Sequence, residues 1–218
     1  MKKTSLATLA ALLAAGSMSL GTAAWAQDAK AGEKKVAMCA GCHNIPGYQA
    51  SFPEIYKVPK IAGQNAKYIV AALNAYKKGE RKHPSMRGIA ITLSDQDIAD
   101  VAAFYEQLEK GGPAPAAPGE PPADIAKLLA KANCESCHGK NFSTPIDPSY
   151  PKIAGQYADY LYVALKAYQT DHNPIVGRSN AIMMGMARPY THAEIKAMSK
   201  YLASLPGELK TVELAEFR

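Results

Sequence analysis

Beyond its N-terminal stretch the chain has no long apolar run, and it has very little cysteine: four in 218 residues, all inside two five-residue stretches. There is one tryptophan, Trp25, and only four phenylalanines. Segments that alternate apolar and polar residues, as half-buried strands do, are missing as well, so no sheet is expected. A strong excess of charge is also absent. The formal net charge is +6, and setting aside Lys2 and Lys3 of the N-terminal stretch leaves 23 basic against 19 acidic residues, or +4. With the two signs interleaved, this argues against nucleic-acid binding and fits modest electrostatic steering of a soluble protein.

The one apolar run extends from about Leu6 to Leu20. Lys2 and Lys3 precede it and Ala24-Trp25-Ala26 follows, which is the n-region, h-region and small-residue cleavage pattern of a secretory leader. Residues 1–26 are therefore read as a cleaved signal peptide and the rest as a soluble, exported protein. A membrane anchor fits less well, because Gly16, Ser17, Ser19 and Gly21 interrupt a run that falls short of about 20 apolar residues. No later segment approaches that length, so no transmembrane segment is expected after leader removal.

The cysteines sit in Cys39-Ala40-Gly41-Cys42-His43 and Cys134-Glu135-Ser136-Cys137-His138. A C-x-x-C-H run points to covalent c-type haem, with two thioethers to the vinyl groups and the adjacent His facing the iron. On a helix, positions three apart share a face, so both sulfurs and the imidazole can converge on one flat ligand. Two disulfides, a zinc site or a redox dithiol are poorer readings. The pairs lie 95 residues apart, no cysteine is left over, and neither zinc ribbons nor thioredoxin-like motifs need a His after the second Cys, twice.

The chain repeats itself. Pro59-Lys60-Ile61-Ala62-Gly63-Gln64 recurs as Pro151-Lys152-Ile153-Ala154-Gly155-Gln156, and residues 59–76 share twelve of eighteen identities with 151–168. Between the copies, residues 111–122 read Gly-Gly-Pro-Ala-Pro-Ala-Ala-Pro-Gly-Glu-Pro-Pro, a semi-stiff linker without helix or ladder bonding. The expected units are thus 27–110 and 123–218. The offset between copies is 95 at the haem motif, 92 at the six-residue repeat and 97 at the last helix, and such length changes belong to loops.

Three helices are expected per copy: Asp28 to His43, about Asn65 to Lys78, and one from Ser94 ended by Gly111; then Asp124 to His138, Gln156 to Gln169 and Thr191 to Leu205. Ser94-x-x-Asp97 and Thr191-x-x-Glu194 read as capping boxes. Domains of this size with few large aliphatics need the apolar mass of a haem to complete a core.

A haem that only passes electrons usually needs a second axial ligand, commonly Met. The 97-residue offset places Met86 over Met183, and Met86 is the one Met between the first haem motif and the linker. Met184 and Met186 compete in the second copy, and the repeat register selects Met183. Met198 is read as a core filler and Met38 as packing beside the haem. His83, His172 and His192 have no counterpart in the other copy and are read as solvated surface. Pro59 and Pro151 have two readings: a carbonyl that takes the second ring N–H of His43 or His138, or a simple turn before the next helix.

With two C-x-x-C-H motifs, two downstream Met, the repeated Pro-x-x-Ala-Gly-Gln and a Ser/Thr-x-x-acid final helix, residues 27–218 resemble the dihaem cytochrome c4 family from end to end. The resemblance implies an all-α fold of two tandem class I cytochrome c domains, each about three main helices around a covalent haem c. Position by position it implies Cys39, Cys42, His43 and Met86 for one haem, and Cys134, Cys137, His138 and Met183 for the other. It also implies a periplasmic carrier, not an enzyme, shuttling electrons between a membrane quinol-oxidising complex and a terminal oxidase or reductase. The alternative is the dihaem electron-transfer subunit of a periplasmic oxidoreductase, such as a flavocytochrome sulfide dehydrogenase or a thiosulfate-oxidising system. Asn44 after the first motif, where Gly139 follows the second, departs from the usual pattern.

Overall fold

The computed structural model describes residues 27–108, 115 and 119–215; the expected signal peptide (1–26) and most of the expected linker (111–122) lie outside them. The first copy is built from α1 (Ala29–Glu33), α2 (Ala37–His43), α3 (Ala66–Lys78), α4 (Pro84–Ala90) and α5 (Asp95–Gln107), with two-residue strands β1 (Gln49–Ala50), β2 (Tyr56–Lys57) and β3 (Arg81–Lys82). The second has α6 (Ala123–Lys131), α7 (Glu135–His138), α8 (Ala158–Gln169), β4 (Gly177–Arg178), α9 (Ala181–Ala187) and α10 (His192–Ser204).

Both expected capping boxes form. Ser94 accepts from the Asp97 amide while Asp97 accepts from the Ser94 amide, and Thr191 and Glu194 do the same. An Asp therefore serves where Glu is usual, since it satisfies the same two orphan donors. The α3 N-terminus lacks a cap of its own, and Glu106 of α5 accepts from the Ala66 amide at 3.0 Å instead. Gly79, at φ +77, ends α3 in the left-handed conformation.

The structure departs from the expected helices in three ways. The haem-motif helices are each broken, at residues 34–36 and 132–134, into α1/α2 and α6/α7. Two unexpected helices, α4 and α9, carry Met86 and Met183; each has only seven residues with a Gly in its fifth position, too short for apolar periodicity to register. Among the described residues there are four strands where none was expected, each only two residues long. In α3 the buried residues are Ala66, Ile69 and Leu73, and Tyr76 packs against the same core.

In the first copy α1 crosses α5 at close range, with Gly32 against the Asp100 backbone. Lys35 Nζ closes the contact, 2.7 Å from Asp97 Oδ1 and 2.8 Å from Asp100 Oδ2. The Lys35 bond, reinforced by the Ser94 hydroxyl and amide, pulls the Asp97 carboxyl down to about 2. A carboxyl held below its unfolded value, about 3.9, adds stability that is full above that pH and fades as pH falls towards 2. Asp97→Asn is accordingly expected to flatten the stability profile between pH 4 and 2 in thermal melts; an unchanged slope there would contradict this account.

The two copies meet through their own repeats. Gln64 Nε2 donates to Lys152 O at 3.0 Å and Gln64 Oε1 accepts from Lys152 N at 2.9 Å. Gln156 returns the pair on Lys60, at 2.9 Å and 3.0 Å. The lysine ammoniums also cross, Lys60 to Gly155 O and Lys152 to Gly63 O, at 2.6 and 2.9 Å. β3 pairs antiparallel with β4, placing Arg81 opposite Arg178. The end of the chain then runs back over the first copy. Lys210 N donates to Ala62 O at 3.1 Å, Asn44 Nδ2 to Val212 O at 2.6 Å, and Leu214 packs on the first core.

Candidate functional site

α2 presents Cys39, Cys42 and His43 in its last turns, and it is seated by Val36 and Ala40, which are 0% and 1% exposed. His43 Nδ1 lies 2.9 Å from the Pro59 carbonyl oxygen. In the second copy His138 ends the single turn of α7, and its Nδ1 lies 2.9 Å from the Pro151 carbonyl oxygen. A carbonyl only accepts, so in both rings Nδ1 carries the proton and Nε2 keeps its lone pair. Burial holds both imidazoles below their ordinary pKa against the opposing effect of the prolyl bond, so each ring is neutral. Each is thus a fixed-tautomer metal ligand. The four thiols are free, and burial, with the neighbouring cysteine, pushes Cys39 up to about 11. Burial does the same for Cys134, also to about 11.

Met86 and Met183 occupy the third position of α4 and α9. The Met86 amide donates to His83 Nδ1 at 3.3 Å and the Met183 amide to Asn180 Oδ1 at 3.0 Å, so the two N-caps are repeat equivalents. Both methionines are half-buried, as is Met184, whereas Met186 is 40% exposed. Met198 is buried in the second core.

The family model for cytochrome c matches residues 29–109 and again 123–206. Cytochrome c4 of Stutzerimonas stutzeri is 33% identical over 200 residues, 85% of this chain and 92% of that protein. The chain belongs to the cytochrome c4 family. The crystal structure of reduced recombinant cytochrome c4 from Pseudomonas stutzeri superposes with a TM-score of 0.60 at 29% identity, covering 83% of this chain and all of that one. A further relative, the thiosulfate dehydrogenase electron acceptor of Thiomonas intermedia, is 27% identical over 86% of this chain and 88% of its own length.

As a cytochrome c4, the protein carries electrons on two covalently attached haem c groups and is not an enzyme. Its residues fit that cofactor. The described cysteines form no disulfide, two fixed imidazoles offer Nε2, and a positively charged cluster lies where the copies meet. Arg81 is 8% exposed and its Nε has no partner. Arg81 Nη2 and Arg178 Nη2 both donate to the Tyr160 hydroxyl, at 3.3 and 3.2 Å, and among the described residues neither guanidinium pairs with a carboxylate. Burial raises the Tyr160 pKa, but Arg178 and Arg81 outweigh it and bring the phenol down to about 8. Buried cations with an unused donor call for an anion. Haem carries propionate carboxylates.

Sequence reasoning missed this cluster, although the repeat marks it: Arg81 and Arg178 are 97 residues apart, and Tyr68/Tyr160 and Tyr76/Tyr168 are each 92 apart. The two guanidiniums stack over these rings, Arg81 at 4.7 Å from Tyr76 and Arg178 at 5.4 Å from Tyr168.

Other expectations need correction. His83 is no solvated surface residue. It caps α4, meets Tyr56 OH at 2.9 Å and stands edge-on to Phe52. His172 and His192 are exposed. Met38 is 51% exposed, while Val36 and Ala40, one turn apart, take the inward face of this helix. Asn44, the departure from the usual Gly, is 4% exposed and accepts from Tyr105 OH at 2.7 Å while holding the Val212 carbonyl. Gly139 has no such latitude: at φ +78, a Cβ there would lie 2.1 Å from Thr144 O.

Proposed function

We propose that Cys39 and Cys42 form the thioethers of the first haem with His43 and Met86 as its axial ligands, and that Cys134, Cys137, His138 and Met183 do the same for the second. The carrying observation is the pair of prolyl carbonyls, from Pro59 and Pro151, that hold each imidazole with Nε2 free. Each copy also offers a methionine at the same capped helix position. Two closed sites leave no open position for a substrate, which suits outer-sphere transfer of one electron per haem. The chain's own part is to fix the ligands, exclude water from them and place cationic side chains at the interface.

On this reading residues 1–26 export the protein to the periplasm, and 27–110 and 123–218 are its two units joined by 111–122. There it takes electrons from a membrane quinol-oxidising complex and hands them to a terminal oxidase or reductase. Among the described residues no helix is long and apolar enough to cross a membrane. A second reading, acceptor for a thiosulfate-oxidising enzyme, draws support from the Thiomonas intermedia relative. Stopped-flow reduction by a quinol-oxidising membrane fraction, compared with thiosulfate plus its dehydrogenase, separates the two.

Ligation has a direct test. The ferric protein should show two equivalents of the sulfur-to-iron charge-transfer band, and the reduced protein should not bind carbon monoxide. Met86→Ala and Met183→Ala should each remove one equivalent; a full band in Met183→Ala would transfer the role to Met184 or Met186.

A further inference from the structure

We infer that His83 is a positioning residue for Met86, tying the axial-ligand helix of the first haem to the domain interface through Tyr56, and that the second haem has no such tie. The inference rests on the reading of Met86 as an iron ligand.

The two ring nitrogens of His83 have different tasks. Nδ1 accepts from the Met86 amide at 3.3 Å, so the ring proton sits on Nε2, which lies 2.9 Å from the Tyr56 hydroxyl and donates to it. Tyr56 is itself fixed. It is 6% exposed, it belongs to β2, and its ring packs at 6.2 Å from that of Tyr160 in the other copy. The next residue, Lys57, donates its amide to Asp159 across the same boundary at 3.1 Å. Three side chains thus connect the Met86 amide to α8 of the second domain. An asparagine side chain is too short to cap and reach onward in this way.

The second copy shows the difference. Asn180 makes the same cap bond to Met183 at 3.0 Å, yet it is exposed, and the repeat register that puts Tyr160 over Tyr68 puts Pro148 over Tyr56. Proline has no hydroxyl to offer. The methionine of the first haem is therefore held by a cap and a strut, and that of the second by a cap alone. Opening of the Met86 side should be the rarer event, and loosening the strut should affect one haem only.

The probe is added imidazole, which replaces methionine on ferric iron in proportion to how often the methionine lets go. Removing an N-cap side chain costs about 1 kcal/mol, about fivefold in an equilibrium. In the full holoprotein, His83→Ala is expected to raise imidazole affinity at one haem by about five- to tenfold and to leave the other unchanged. His83→Asn restores the cap without the strut, and Tyr56→Phe keeps the cap and removes the hydroxyl, so each should give a smaller rise, about threefold. The double variant His83→Asn/Tyr56→Phe should match either single, because both cut one link.

An unchanged affinity in His83→Ala, an equal rise at both haems, or additive effects in the double variant would overturn the inference. Met86→Ala keeps the two readings apart. If it spares both charge-transfer bands, the ligand assignment fails and this inference falls with it; if it removes one while His83→Ala behaves as wild type, only the strut is wrong.

Discussion

Gly32→Val is expected to lower the stability of the first domain by about 3–5 kcal/mol. The reason is the α1/α5 crossing. A Cβ at position 32 would lie 2.1 Å from the Asp100 carbonyl oxygen, 2.6 Å from its carbon and 2.9 Å from Phe104 Cβ. Two of these three atoms are backbone in the middle of α5, so no rotamer change relieves the contact. The helices would have to separate, and with them would go the Lys35 bridge to Asp100, whose carboxylate also accepts from the Asp28 amide at 3.1 Å. Denaturant titration of the holoprotein gives the answer. A loss under about 1 kcal/mol would mean that α1 can shift without cost, contrary to the geometry.

Gln64→Ala is expected to cost about 2–5 kcal/mol, and the double variant Gln64→Ala/Gln156→Ala to divide unfolding into two separate transitions. Each glutamine is almost wholly buried, 3% and 4% exposed, and each satisfies both the N–H and the C=O of one lysine in the other domain. Truncation leaves two backbone groups of the partner unpaired, at about 1–3 kcal/mol apiece. With both glutamines gone, the lysine bonds to the Gly155 and Gly63 carbonyls, β3–β4, the Arg81 bond to Tyr160, the ion pair of Lys166 with Glu54 and the returning C-terminal segment remain to join the domains. Scanning calorimetry should show one peak for each single variant and two for the double. A single unsplit peak in the double would show that the remaining contacts couple the domains without the glutamines, contrary to this account.

What could be read from the residues beforehand was local or repeated. Both haem motifs, both capping boxes and the register that matches Met86 to Met183 are short-range signals, and the duplication let each copy check the other. What escaped was tertiary. Nothing in Pro-Lys-Ile-Ala-Gly-Gln says that it will face its own second copy, since the reciprocal bonds of Gln64 and Gln156 join residues 88 and 96 apart. His83 was set aside because the other copy has Asn180, yet both residues cap helices; the same backbone task is met by two different acceptors, and identity alone hides it. Two-residue strands carry no period, and residues beyond Pro206 carry no motif, so neither the β3–β4 pair nor the returning tail could be foreseen.

That tail sets an order of assembly. Asn44, beside the first haem motif, finds its carbonyl partner in Val212, 168 residues later. A first domain without residues 209–214 would lack the cover beside Cys39 and Cys42, so its haem motif is complete only when the far end of the second copy is in place.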